Sequence, residues 1–156
     1  MDTDIKLRKG VSKDESLIGS YLTQGEVMHL ALQDNMGLFS VPVNYGYYNG
    51  KIYIHSSKKG RKIEALHKGG VIGFSVLVEH QVVAKDDPCK WGCAFKSVIG
   101  AGVPRVLEEK EKLAALNCIM KQYSGKEWVM SDSGIKAVDV VEIMVTSISA
   151  RTVEKD

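Results

Sequence analysis

Three runs between Val41 and Lys62 decide the reading of this chain: Val41-Pro42-Val43-Asn44-Tyr45, then Tyr48-Asn49-Gly50-Lys51, then His55-Ser56-Ser57-Lys58-Lys59-Gly60-Arg61-Lys62. Asn-Gly is the preferred pair for a type I′ turn, because both central positions need positive φ. With β-formers on either side, it predicts a tight hairpin joining a strand over Leu38–Tyr48 to a strand over Ile52–His55. Pro42 has no N–H to give a ladder, so its strand is expected at an edge or a bulge. Beyond His55 a polar loop, Ser56 to Gly60, leads into a short helix over Arg61–Lys68 with Ile63 and Leu66 inward.

That loop delivers two hydroxyls and the basic side chains of Lys58, Lys59, Arg61 and Lys62 onto a helix N-terminus. Such an end presents unpaired amides and partial positive charge, which favour a phosphate. Arg61 is suited to a bidentate grip, Lys62 to a point charge, and Ser56 and Ser57 to the remaining oxygens. From charges alone, a solvated basic loop that binds nothing is the competing reading. Neither G-x-x-x-x-G-K-[ST] nor G-x-G-x-x-G occurs, which argues against P-loop and Rossmann sites.

Working outward toward the N-terminus, Ser12-Lys13-Asp14-Glu15 has the pattern of a capping box for a helix over Lys13–Gln24. Leu17, Ile18, Tyr21 and Leu22 follow at helical spacing, and Gly25 ends the helix. A strand is predicted over Val27–Gln33, with a turn at Asp34-Asn35-Met36-Gly37. Toward the C-terminus, Val71–Val78 reads as a strand buried on both faces, because its apolar run is nearly continuous. Phe95–Leu107 reads as a long strand bent or bulged at Gly100 and Gly102. A helix over Glu109–Tyr123 carries Leu113, Leu116, Met120 and Tyr123 on one stripe, and Val138–Ile148 is a last strand. About six strands with mostly short connections predict a mainly β, single-domain chain over 1–156, a barrel with peripheral helices and no βαβ units.

Composition bounds the function. In 156 residues, 21 Lys and Arg face 19 Asp and Glu, a formal net charge of +2, so no nucleic-acid or anionic-membrane partner is expected. Met1 to Gly10 lacks the apolar run of a signal peptide, and no stretch has the length to span a bilayer. Three Cys, an odd number, fit reduced thiols in a cytoplasmic setting and no disulfide framework. Cys89 and Cys93 have no second pair spaced to complete a zinc site, so no metal is expected.

The run GKIYIHSSKKGRKIEAL resembles the flavin-phosphate segment of the pyridoxamine-phosphate-oxidase-like FMN-binding split β-barrels. With VPVNYGYYNG before it and CKWGCAFKSVIGAG after it, the chain is most similar to the nitroimidazole-resistance branch, from about Glu26 to Tyr123. The resemblance implies a homodimeric flavoprotein with FMN at the subunit interface. It places Arg61, Lys62, Ser56 and Ser57 on the phosphate, and backbone groups of Val43, Asn44 and Tyr45 along the ring edge. It places His55 near the flavin, and Trp91 and Ser97 in the site as well. The vitamin-forming oxidases commonly have Ser before the Arg-Lys pair, where this chain has Gly60. Their C-terminal segment supplies Trp and Arg to the substrate, whereas Ser147 to Asp156 has Arg151 and no Trp, which argues against pyridoxamine phosphate as substrate.

The implied function is a flavin-dependent oxidoreductase for a small acceptor such as a nitro-aromatic compound. A flavin carrier or electron-transfer protein without its own substrate, and a haem-binding relative on the same barrel, are the alternatives. His55 is either a proton donor or orienting group, as its candidate catalytic role requires, or a strut for the ribityl chain. Trp91 either covers the flavin from a partner subunit or packs a loop. Tyr45, Tyr47 and Tyr48 suit sheet packing, as His29 suits a satisfied structural position in its strand.

Overall fold

The computed structural model describes residues 8–155; the predicted absence of a leader at Met1 to Gly10 falls mostly outside them. In chain order the strands are β1 (Val11–Ser12), β2 (Met28–Asp34), β3 (Gly37–Val43), β4 (Gly46–Tyr48), β5 (Lys51–Ser57), β6 (Ile72–Val83), β7 (Gly92–Val106) and β8 (Val138–Val153). The helices are α1 (Glu15–Gln24), α2 (Arg61–Lys68), α3 (Glu109–Ser124) and α4 (Asp132–Lys136). Every strand pairing is antiparallel, in the order β3-β2-β6-β7-β8-β5-β4, with β1 added against β8. The fold is a split barrel. Its two terminal strands, β3 and β4, are neighbours in the chain and yet do not pair, and the seam between them stays open.

The Asn-Gly hairpin forms as its chemistry demands, with φ of 49° at Asn49 and 80° at Gly50. Pro42 lies on β3, an edge strand, opposite His29. The long β7 shifts register against β8 between Ala101 and Gly102, where a side chain at Gly102 would meet the Met144 carbonyl at 2.6 Å. The main core fills the barrel, built on Leu22, Met28, Leu30, Tyr45, Ile52, Ile54 and Ile143, with α1 and α2 closing over it, and a smaller cluster joins Ala115 of α3 to Leu107 and Val140. Each fully buried aliphatic side chain contributes roughly 1.5–3 kcal/mol.

Several local expectations are corrected. The predicted strand Leu38–Tyr48 is two strands broken at Asn44-Tyr45, because Tyr45 turns into the core and its N–H donates to the Tyr123 hydroxyl at 2.9 Å. The capping box at Ser12 does not form. Asp14 is the cap, its carboxylate accepting from the Leu17 N–H at 2.8 Å, where a negative charge also suits the helix dipole. β6 buries only one face: Phe74 and Val76 point inward, while Leu77 is 56% exposed. The inner stripe of α3 is Lys112, Ala115 and Ile119, leaving Leu113 and Tyr123 outside. The cause is close packing on β4, where a Cβ on Gly46 would lie 2.5 Å from the Ile119 nitrogen. Among the described residues no helix is long and apolar enough to cross a membrane.

Candidate functional site

The open seam carries a groove of about 360 Å³, lined by Val27, Pro42, Val43, Asn44, His55, Ser56, Ser57 and Lys62. One wall comes from the start of β2 and the end of β3, the other from the end of β5 and the first turn of α2. Six of the predicted residues therefore meet in one place: Val43, Asn44, His55, Ser56, Ser57 and Lys62. Val27 and Pro42 were not predicted there, although the edge position expected of Pro42 puts it at such a seam.

The phosphate end is built locally. Gly60 adopts φ 120° and ψ 166°, a conformation essentially reserved for glycine, and it supplies no side chain to cap α2. The first amides of α2 are thus left without a side-chain cap beside the groove, with Lys62 on its wall. The Gly60 that departs from the oxidases' Ser is therefore required by the backbone. Ser56 is buried at 5% exposure, and Ser57 donates its hydroxyl to the Lys59 carbonyl at 2.8 Å, which shapes the loop. His55 pairs with Val140 of β8 and its side chain lines the groove. The groove walls, and after them the Lys62 ammonium, hold its pKa below the usual 6.5, so the ring is neutral near pH 7.

The opposite rim is held by the end of α3. The Gln122 amide donates to the carbonyls of Leu22, Thr23 and Gly25, while its oxygen accepts from the Tyr47 N–H. Tyr123 donates to the Glu26 carbonyl at 2.6 Å and accepts from Tyr45. These two side chains tie the segment that leads into β2, Leu22 to Glu26, to the Tyr45–Tyr47 stretch that follows β3. In the sequence Tyr123 falls on an apolar stripe of α3 and Gln122 carries no signal, because nothing near position 122 points to carbonyls about a hundred residues away.

Tyr45 is fully buried and its hydroxyl donates to the Leu22 carbonyl, so it lies behind the groove, and its amide is already bonded. Arg61 does not line the groove; its Nε and Nη2 donate to the two carboxylate oxygens of Asp34 at 2.6 and 2.9 Å. Ser97 and Trp91 lie elsewhere in the same chain. Ser97 pairs with Leu77, one position past the Met28–Val76 rung, so about 10 Å of sheet separates it from Val27. Trp91 is farther along, just before β7, 55% exposed, with its Nε1 donating to the Lys85 carbonyl at 2.7 Å. Among the described residues Cys89, Cys93 and Cys118 are free thiols.

Comparison with known proteins gives the family. No curated protein matches the sequence significantly. Among solved structures, a candidate 5-nitroimidazole antibiotic resistance protein from Bacteroides thetaiotaomicron is 26% identical with a TM-score of 0.80, over 91% of this chain and 86% of that one. The FAD- and haem-binding protein of Mycobacterium smegmatis superposes with a TM-score of 0.85 at 16% identity, over 94% of this chain and 75% of its own. A flavocytochrome from Azotobacter vinelandii gives 0.81 at 18% identity, over 96% and 73%. At such identities the last two speak for the fold alone. The family model described as pyridoxamine 5'-phosphate oxidase matches residues 14–152, nearly the whole chain with the seam and its groove, and the protein belongs to that family.

Proposed function

We propose that the protein is an FMN-binding oxidoreductase that works as a homodimer on a small acceptor, of which nitro-aromatic compounds are the leading class. The observation that carries this reading is the convergence of Ser56, Ser57, Lys62 and the uncapped start of α2 on one open groove. That donor set suits a terminal phosphate monoester, which FMN has and riboflavin lacks. Bound there, the flavin supplies the electron transfer; the protein binds, orients and shields it. Lys62 and the α2 amides hold the phosphate. Val43 and Asn44 offer main-chain groups to the ring edge. Neutral His55 stands where it can donate to, or accept from, the ribityl chain or an acceptor.

The dimer is supported by the outer face of the sheet. Val27 lines the groove, and Leu77 on β6 and Ile99 on β7 continue from it across the outer face of the sheet; exposed at 42, 56 and 59%, they form an apolar surface a second copy would cover. The same pairing is what would bring a partner's Trp91 or Ser97 to a groove that their own chain's geometry keeps from them. Three free thiols fit a cytoplasmic protein.

Absorbance of the purified protein is the first test: flavin bands are expected, and a Soret band with none of them would replace this reading with a haem protein. Sedimentation should give a dimer, and a stable monomer that retains flavin would sink the shared-site part. Stopped-flow reduction by a nicotinamide donor, followed by acceptor turnover, separates an enzyme from a flavin carrier.

A further inference from the structure

We propose that Asp34 is a specificity-determining residue of the groove: it holds Arg61 away from the phosphate position and so weakens the preference for phosphorylated over unphosphorylated flavin. The inference rests on the flavin reading above. Arg61 is the first residue of α2, whose opening amides flank the groove, yet its side chain leans the other way. Its fork closes on Asp34 through Nε and Nη2, and the guanidinium carbon sits 3.9 Å from the centroid of Phe39. Phe39 is four residues from Val43 along β3, about 13 Å of extended strand from the groove wall. A second tie binds the same turn to the far end of α2, with Lys68 Nζ donating to Asn35 Oδ1 at 2.9 Å.

A carboxylate and a phosphate compete for the same planar fork, since both accept its parallel N–H groups. Asp34 has two advantages over an incoming ligand. Its side chain is only 14% exposed, and the β2–β3 turn that carries it is already anchored to α2. Arg61, at 39% exposure, lies at the surface with its Nη1 outside the Asp34 bonds, so a rotamer change suffices to release it. Lys62 is then the side-chain cation that meets the phosphate first, and Arg61 is a reserve held by Asp34.

The test compares dissociation constants for FMN and riboflavin in the full-length protein. Asp34→Asn keeps the shape of the side chain and removes its charge. FMN should bind about 3- to 10-fold tighter to this variant while riboflavin changes little, as expected for freeing one partly exposed charge partner. The gain should vanish in the double variant Asp34→Asn with Arg61→Ala. Phe39→Leu, which removes the stacking but leaves the turn, should shift the FMN-to-riboflavin ratio in the same direction and serves if Asp34→Asn folds poorly. An unchanged ratio with FMN binding intact overturns the proposal, as does a selective loss of FMN affinity, which would mean that Asp34 presents Arg61 to the phosphate. Failure of the wild-type protein and both single variants to bind either flavin overturns the flavin reading, and this inference with it.

Discussion

The groove and the β6–β7 arm both carry candidate site residues, and only the groove gathers them in one place. At the groove, the positions from His55 to Lys62 follow one another through a strand end, a glycine kink and a helix start, so chain contiguity brings them together. Along the arm, Trp91 and Ser97 are also close in sequence, but they lie on or beside an extended strand. At about 3.3 Å per residue, extension carries them apart from each other and from the groove. Nearness in sequence becomes nearness in space only where the chain turns. The second difference is anchoring: the groove rim is tied to α3 by Gln122 and Tyr123, whereas among the described residues the Trp91 side chain bonds only to the Lys85 carbonyl.

Substitutions can break or sharpen this contrast. The largest effect is expected at the anchored end, from Gly46→Ala. Its added methyl group would lie 2.5–2.7 Å from α3 backbone atoms at Cys118 and Ile119, which cannot step aside as a side-chain tip can. A loss of about 3 kcal/mol in denaturant unfolding is expected, and a loss below about 1 kcal/mol would show that α3 is loosely held. Next comes Gln122→Ala. It leaves three carbonyls and the Tyr47 N–H without this partner and should cost about 2 kcal/mol. Flavin affinity should fall with it if the rim forms the ring site.

Lys62→Ala tests the phosphate end directly. FMN should bind roughly 10-fold more weakly, with riboflavin nearly unaffected. Equal weakening of both ligands would assign Lys62 to folding. The pH dependence at His55 is smaller. Its pKa in the folded protein lies below the unfolded value of 6.5, so below about that pH the unfolded chain binds the proton more readily. Stability should therefore fall as pH drops from 6.5 through the lower folded value and level off beneath it. His55→Asn should flatten that part of the thermal denaturation profile.

The smallest effect is expected on the arm. Trp91→Ala should change stability by no more than about 0.5 kcal/mol, the range of an exposed site. Flavin affinity decides the comparison. If the chain pairs as proposed, a clear drop, rescued in heterodimers that carry one wild-type arm, would show that the arm joins the groove of its partner. No change would leave Trp91 a loop-packing residue.

Elements set by short-range chemistry were legible in the sequence. The Asn49-Gly50 turn follows from the φ values those residues tolerate, and the predicted bounds of α2 match the observed Arg61–Lys68 because a kinked Gly60 and the Gly69-Gly70 pair flank it. Pro42 forecast an edge through its missing N–H. Tertiary structure alone decided the break at Asn44-Tyr45, since that depends on a tyrosine hydroxyl 78 residues later capturing an amide. It also decided the partner of Arg61: the loop offered a phosphate ligand, but a carboxylate 27 residues upstream lies within reach only once β2 and α2 pack together. The inner face of α3 was decided the same way: its backbone at Cys118 and Ile119 crosses β4 at Gly46, and Ala115 packs with Leu107 and Val140. Local backbone preferences act on a few neighbouring residues and can be read one at a time. Which polar groups meet across the fold is settled by the packing of the whole chain, where every buried donor and acceptor needs a partner.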